Sequence, residues 1–347
     1  MSEFRAESLT SWHAEWRGLR VAVLGLGASG FSSADTLLEL GAVVTVFSEI
    51  HTDEREQLLG VIGGDLVVTT PGIEHAPEYR ERLAALDPEL VVVSPGFAAD
   101  NPLVVWARER GVPVWGDIEL AWRVRDKVAP AEWIVVAGGA EATAAARLAE
   151  TILLAGGVKT IWCGLGGISV LDAIRAPEGW DVVVVAASDA QLHYTTSISA
   201  LAAACIESRP SDPAGWMSED LSRTALARVF DEARSACIYN KGDLETQTMV
   251  EQAEVVEGCR AIGVGLGIPG PSDFGVVEGI LCDRAFLDER RSSAIELAEV
   301  GDLEPAGLMS REGVLLVLTA SAMARAYGVA ASAVGVALAA LGASQEE

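Results

Sequence analysis

Two glycine-bearing turns carry the residues of this chain whose types and spacing could do chemistry. The segment W-I-V-V-A-G-G-A-E-A-T-A-A-A-R-L-A-E-T, residues 133–151, sets an apolar β-type run before a glycine pair and an alanine-rich helix. Such a strand, loop and helix points backbone N–H groups and the positive end of a helix dipole at an anion. Holding a triphosphate there also takes a late glycine and a lysine just before the Ser/Thr, so that backbone and ammonium together neutralise the β- and γ-phosphates. Gly138 opens the loop here, Glu141 and Ala142 stand in those two places, and Thr143 keeps the hydroxyl that a magnesium ion would use. A carboxylate ~4 Å from a phosphate costs roughly 4 kcal/mol at an effective dielectric near 20. The residues predict a phosphate-loop shape with its charge reversed, a degenerate loop with no ATP and no metal to hold.

The second turn is G-L-G-A-S-G, with Gly25, Gly27 and Gly30 following one apolar run and opening a helical pattern. Glycines at this spacing turn the chain and let a phosphate approach the backbone, with Ala28 and Ser29 offering N–H and hydroxyl donors. About twenty residues on, Ser48 and Glu49 end the next apolar run, where a ribose-binding acid is expected. An NAD(P)-dependent oxidoreductase is one reading of this turn, and plain helix-on-strand packing is the bland one. The pattern selects a phosphate-bearing ligand without saying which.

Elsewhere the sequence offers little chemistry. His13, His51 and His75 are isolated, and His193 reads as a packed or capping histidine. Asp189, Glu207 and Asp212 read as solvated loop acids, so no catalytic set and no metal set is assigned. The five cysteines are widely spaced without a C-x-x-C pair, which suggests neither zinc nor a disulfide framework. A net charge of −25, from 25 basic and 50 acidic residues, excludes nucleic acid and anionic membranes as partners, because the dominant electrostatic term would be repulsive. Residues 314–341 are apolar but interrupted by Arg325 and Tyr327, which predicts a pair of buried helices instead of a membrane span. No signal-peptide core opens the chain, and the cytoplasm is the expected compartment.

The elements that must position the two turns follow from periodicity. Strands are expected at residues 21–24, 43–47, 66–69, 90–93 and 112–115, with helices at 28–40 and 102–110, after a poorly determined leader, 1–17, in which Trp12 and Trp16 are packing points. Alternating short apolar strands and helices predict a doubly wound parallel sheet, hence an α/β fold with a Rossmann-like domain over residues 18–127. Asp126 to residue 131 is the linker. A second α/β series over 128–347 takes strands at 133–137, 160–163, 182–187, 202–206 and 236–239. A small antiparallel β addition follows at 260–264 and 276–286, and helices return from 311.

Several segments read together give a resemblance. L-R-V-A-V-L-G-L-G-A-S-G (19–30), V-V-V-S-P-G-F (91–97), G-V-P-V-W-G-D-I-E-L-A-W-R (111–123), Q-L-H-Y-T (191–195), A-C-I-Y-N (236–240) and M-A-R-A-Y-G-V (323–329) resemble the Mur ligases of peptidoglycan synthesis, in their MurD-like form. The resemblance implies a first domain for the UDP end of a muramoyl precursor, a central domain for ATP and magnesium, and a third domain for the amino acid. Carried over by position, it implies UDP-type contacts at Gly25, Gly27, Ala28, Ser29, Gly30, Ser48, Ser94, Pro95 and Gly96, with Gln191 toward the sugar. The departures cluster where the family does its chemistry: Ala142 replaces the loop lysine, Ala186 a metal-binding glutamate and Leu165 an asparagine. Asp212 stands at the catalytic histidine, Leu226 at a carbamylated lysine, and Glu312 and Gly313 near the adenine contacts.

The resulting expectation is a MurD-like pseudoenzyme without ligase activity and without cofactor, binding a UDP-N-acetylmuramoyl-type molecule in a regulatory role. A protein partner or self-association is expected at the surface the third domain would otherwise cover. The enzymatic alternative is a UDP-N-acetylmuramoyl-L-alanine:D-glutamate ligase completed by another chain.

Overall fold

The computed structural model describes residues 5–70, 76–210 and 217–345. His75 and Asp212 lie outside them. Among the described residues the strands form two sheets. The first is built from β1 (Arg20–Leu24), β2 (Val43–Ser48), β3 (Asp65–Val68), β4 (Leu90–Val93) and β5 (Val114–Gly116), in the order β3-β2-β1-β4-β5. Each neighbouring pair is parallel. Helices α1 (Ala28–Glu39), α2 (Asp53–Val61), α3 (Ala76–Leu86) and α4 (Pro102–Glu109) connect the strands, and α5 (Asp117–Arg123) leads out of the sheet. The strand order reverses between β1 and β4, and a crevice opens above their carboxyl ends, where ligands of such sheets bind.

The second sheet has nine strands in the order β14-β13-β12-β11-β10-β9-β6-β8-β7. Its parallel part runs through β6 (Glu132–Ala137), β7 (Thr160–Gly164), β8 (Val182–Ala187), β9 (Ala202–Cys205), β10 (Ala236–Asn240) and β11 (Arg260–Val264). β8 reads V-V-V-V-A-A and is buried throughout, the near-continuous apolar run that a strand covered on both faces requires. The expected small antiparallel addition is present and continues this sheet, starting later than expected. β12 (Asp273–Val277) still pairs parallel with β11, and only β13 (Ile280–Asp283) and β14 (Ile295–Glu299) turn antiparallel.

Helix α6 (Gly139–Ala155) packs under α11 (Arg311–Tyr327) and α12 (Ser332–Gln345) in one apolar cluster. The apolar stretch near the end of the chain is thus a helix pair broken at Gly328, which takes φ +105° as a left-handed cap. No helix among the described residues is long and apolar enough to cross a membrane.

The leader differs from expectation: its described part is pinned down. Trp16 is buried edge-on against Trp115 at 6.4 Å, and Ser11 Oγ and Trp12 N donate to Asp126 in the linker. Arg123 stacks over Trp115 and donates to the carbonyls of Glu7 and Leu9. The sequence offers no periodicity here because the segment is held by side chains instead of by a regular element.

What joins the two sheets is the G-D-I-E-L segment. Glu119 on α5 is fully buried and accepts from Thr196 N at 2.8 Å, Ser197 N at 3.0 Å, Ser197 Oγ at 2.7 Å and Arg123 Nε at 2.7 Å. These donors hold its carboxyl below the usual range against the opposing effect of burial. A second tie links α1 to α7 (Val170–Ile174) and the residue after it, Arg175 meeting Asp35 at 2.7 Å and Glu39 at 3.0 Å. Glu119→Gln would turn an amide N–H₂ toward backbone donors and leave Arg123 without its carboxylate. Urea unfolding should show a loss of about 2–4 kcal/mol; a change below about 0.5 kcal/mol would reject this account of the joint.

Candidate functional site

The crevice over β1, β2 and β4 is a cavity of about 520 Å³ lined by Gly25, Gly27, Ser48, Glu49, His51, Arg55, Ser94, Pro95, Gly96 and neighbouring residues. Its floor depends on two glycines. Gly25 sits at φ +101°, and a Cβ on Gly30 would lie 2.1 Å from Gly25 O and 2.5 Å from Ser94 Oγ, so only glycine lets α1 close on the turn. Ser94 is 7 % exposed, and its hydroxyl has no protein partner. A buried hydroxyl left unpaired beside a cavity is a group that a ligand can satisfy.

Six of the sequence-derived positions, Gly25, Gly27, Ser48, Ser94, Pro95 and Gly96, come together on this wall. Ser48, however, is already spent: its Oγ accepts from Leu26 N at 3.1 Å and donates to Ile50 O at 2.7 Å. These bonds shape the turn at the cavity wall. Ala28 and Ser29 form the first turn of α1 beside the cavity, and the Ser29 hydroxyl donates to Asp117. Gln191 does not line the cavity. It closes the capping box of α8 (Asp189–His193) with Ser188 and donates its amide to both Asp117 oxygens, at 3.2 and 3.0 Å. Burial pushes the Asp117 carboxyl up, and the donors from Ser29 and Gln191 oppose it.

Arg55 was not singled out by the sequence, and His51 was read there as an isolated histidine. Thr52 caps α2 by accepting from Arg55 N, and this capped first turn carries the Arg55 guanidinium to the cavity wall, where it donates to Leu26 O at 3.3 Å. His51 faces Glu56 through Nε2 at 3.2 Å, while its Nδ1 has no protein partner. A Thr followed by Asp and Glu is the readable signal for this helix start. The chain distance from the glycine turn hid its relevance.

The glycine pair of the second sheet keeps a phosphate-loop geometry, with Gly138 at φ +117° and Gly139 at φ +63° before α6. Its mouth is filled by the protein itself. A Cβ on Gly139 would lie 2.5 Å from Glu207 Oε1, and the Glu207 carboxylate accepts from Arg209 at 2.9 and 2.6 Å. Thr143 Oγ1 donates to Leu165 O at 2.8 Å, and Ala142 is buried. Leu165 N in turn donates to Ala186 O. The fold thus brings Thr143, Leu165 and Ala186 together from three separate segments, and their side chains offer one hydroxyl, already paired. Leu226 is buried in the core. Among the described residues no three His, Cys, Asp or Glu groups converge on a metal position. In this conformation the Glu207 carboxylate lies against Gly139 and pairs with Arg209, and the buried Ala142 stands where the resemblance expects the loop lysine.

A second cavity, about 470 Å³, opens at the carboxyl ends of β10 and β11, lined by Asn240, Lys241, Gly265, Arg311 and Glu312 among others. Lys241 reaches Asp273 across its edge. Arg311 and Glu312 open α11 behind the Ser310 cap, so this cavity meets the segment where the resemblance puts adenine contacts.

Two α/β sheets with ligand-sized cavities at the carboxyl ends of their parallel strands place the chain in the doubly wound α/β class. No family model matches the chain. A UDP-N-acetylmuramoylalanine--D-glutamate ligase of Leifsonia xyli is 52 % identical over 341 residues, covering 94 % of this chain and 65 % of that protein. The protein of the same name from Tropheryma whipplei (strain Twist) is 40 % identical over 327 residues, covering 92 % and 66 %. Among solved structures, the UDP-N-acetylmuramate:L-alanyl-gamma-D-glutamyl-meso-diaminopimelate ligase of Neisseria meningitides shares the fold at TM-score 0.53 and 14 % identity, over 93 % of this chain and 98 % of that one. The chain belongs to the Mur ligase family, in its MurD-like branch. It spans about two thirds of the length of the curated relatives it matches.

These relatives correct three expectations. Proteins 40–52 % identical over most of the chain are named ligases, which overturns the pseudoenzyme reading and the expectation of no enzymatic activity. A ligase by definition couples bond formation to cleavage of a nucleoside triphosphate, so the expectation of no cofactor and of a lost ATP site is withdrawn with them. The oxidoreductase reading of the glycine turn falls on the same ground.

Two outcomes test the site's geometry. Gly30→Ala should force α1 away from the turn and lower stability by about 1–3 kcal/mol, read by urea unfolding; a neutral result would mean that the helix does not close on Gly25. His193 accepts from Arg108 at 2.8 Å through Nε2, and burial together with Arg108 and Arg228 holds its pKa down from 6.5 to about 4. Between those values the unfolded chain takes up a proton that the folded chain refuses, so stability falls as pH falls through that window. His193→Gln keeps an acceptor without a titrating group and should flatten the decline, measured as urea midpoints at pH 7.5 and 5.0.

Proposed function

We propose that this chain acts in the cytoplasm as a MurD-type ligase, joining D-glutamate to UDP-N-acetylmuramoylalanine, with another chain completing the site. The observation that carries the reading is the 52 % identity over 341 residues to a protein named for that reaction. The uridine diphosphate end would enter the crevice at β1 and β4. Gly25, Gly27 and Gly30 let the diphosphate approach the backbone at the start of α1, the Ser94 hydroxyl supplies an unpaired hydrogen bond, and Arg55 supplies the cation. Ala28, Ser29, Pro95 and Gly96 frame that end, while Gln191 acts through Asp117 by holding the second sheet against it. Its role is positioning.

The cavity at Asn240, Lys241 and Arg311 supports a second ligand group of the same reaction. No step is assigned to residues 138–143, whose mouth holds Glu207 and Arg209. Another chain completes the site in this proposal. That chain is the protein partner of this proposal.

Calorimetric titration with UDP-N-acetylmuramoyl-L-alanine checks the reading at the first cavity. Binding is expected, weakened on the order of tenfold by Ser94→Ala and ten- to a hundredfold by Arg55→Ala. Product formation from D-glutamate, ATP and magnesium, followed by mass spectrometry, should need the completing chain. Absence of any binding by the intact chain would sink the proposal.

A further inference from the structure

The five cysteines show no paired spacing in the sequence, yet the fold brings two of them into contact. β10 and β11 are parallel neighbours with Cys237 opposite Ala261. Side chains alternate between faces along a strand, so Cys259, two residues before Ala261, shares the face of Cys237. Their Sγ atoms lie 3.8 Å apart. Cys237 is buried, Cys259 is partly exposed, and residues 254–258 ahead of it are all exposed. Closing 3.8 Å to the roughly 2.05 Å of a disulfide asks for side-chain rotation and a small approach of this surface turn.

We propose that Cys237 and Cys259 form a reversible disulfide by exchange with a low-molecular-weight disulfide. The Cys259 thiolate attacks one sulfur of that reagent, a mixed disulfide forms, and one small thiolate leaves. Cys237 then loses its proton and attacks Sγ of Cys259, expelling the second small thiolate. Two protein thiols are oxidised, one small disulfide is reduced to two thiols, and the two protons pass to those leaving groups. The order of attack follows from the surroundings. The S–H of Cys237 and the backbone and charge of Arg260 favour a thiolate at Cys259, lowering its pKa, whereas Cys237 is pushed up. Burial raises Cys163 and Cys205, the latter to about 12, which leaves them unreactive. The new bond would tie the amino-terminal ends of β10 and β11, whose far ends, Asn240 and Gly265, line the 470 Å³ cavity.

The experiment is incubation of the intact chain with glutathione disulfide, followed by alkylation and peptide mapping. Two of the five thiols should be lost, a peptide joining residues 237 and 259 should appear, and dithiothreitol should restore all five. Cys259→Ser should abolish the reaction, and Cys237→Ser should trap one glutathione on Cys259. Five thiols still open to alkylation, a bridge between other cysteines, or unchanged oxidation in Cys259→Ser would each overturn the proposal.

Discussion

Two carboxylates on one turn of α5, Asp117 and Glu119, hold the two sheets together. Each is buried, and a buried carboxylate is tolerable only when donors surround it. Glu119 is met by two backbone N–H groups, a hydroxyl and a guanidinium, which suits the ionised form. Asp117 has the Gln191 amide, the Ser29 hydroxyl and backbone N–H groups but no guanidinium, and burial prevails. The two groups are one helical turn's breadth apart, yet their environments drive their pKa values in opposite directions. Both fasten residues 191–197 to the first sheet. The Ser29 contact then carries the same joint to the first turn of α1, where the glycine turn sits.

The two glycine turns show how similar backbones serve different ends. At Gly25 and Gly30 the surrounding chain leaves a cavity, an unpaired Ser94 hydroxyl and an arginine. At Gly138 and Gly139 the same preference for positive φ is answered from within, because Glu207 crosses the mouth and Arg209 neutralises it. Thr143 Oγ1 donates to Leu165 O beside it. The acidic balance of the chain makes such self-pairing natural, since an arginine near three acids, Glu141, Glu207 and Asp243, is held by them. Family membership and local loop chemistry are separate questions. Identity over hundreds of residues answers the first, and the charge at four or five positions governs the second.

Much of the architecture was legible in the order of the residues. The strands at β1, β4, β8 and β10 are short apolar runs bounded by glycine or polar residues, and local sterics with burial of apolar side chains suffice to specify them. The glycine turn after β1 and the S-P-G turn after β4 were readable for the same reason, because a sharp turn at the carboxyl end of a buried strand demands special residues. Trp12 and Trp16 were legible as packing points of the leader, but their partners were not, because Asp126, Trp115 and Arg123 lie about a hundred residues further along the chain. The continuity of β11 through β14 with the large sheet also escaped the sequence, because strand pairing is a choice of neighbour that alternation does not encode.

By itself, then, the sequence determined the α/β class, the two glycine turns, the acidic surface and the likeness to the Mur ligases, all properties set by residue type and local spacing. Only the tertiary structure decided which groups meet. It placed Arg55 and Ser94 on one cavity wall, paired Gln191 with Asp117 and Ser48 with Leu26 and Ile50, laid Glu207 over Gly139, and brought Cys237 beside Cys259. The physical reason is the same in each case: hydrogen bonds and charge pairs act over a few ångströms of space, and folding alone converts distance along the chain into distance between atoms.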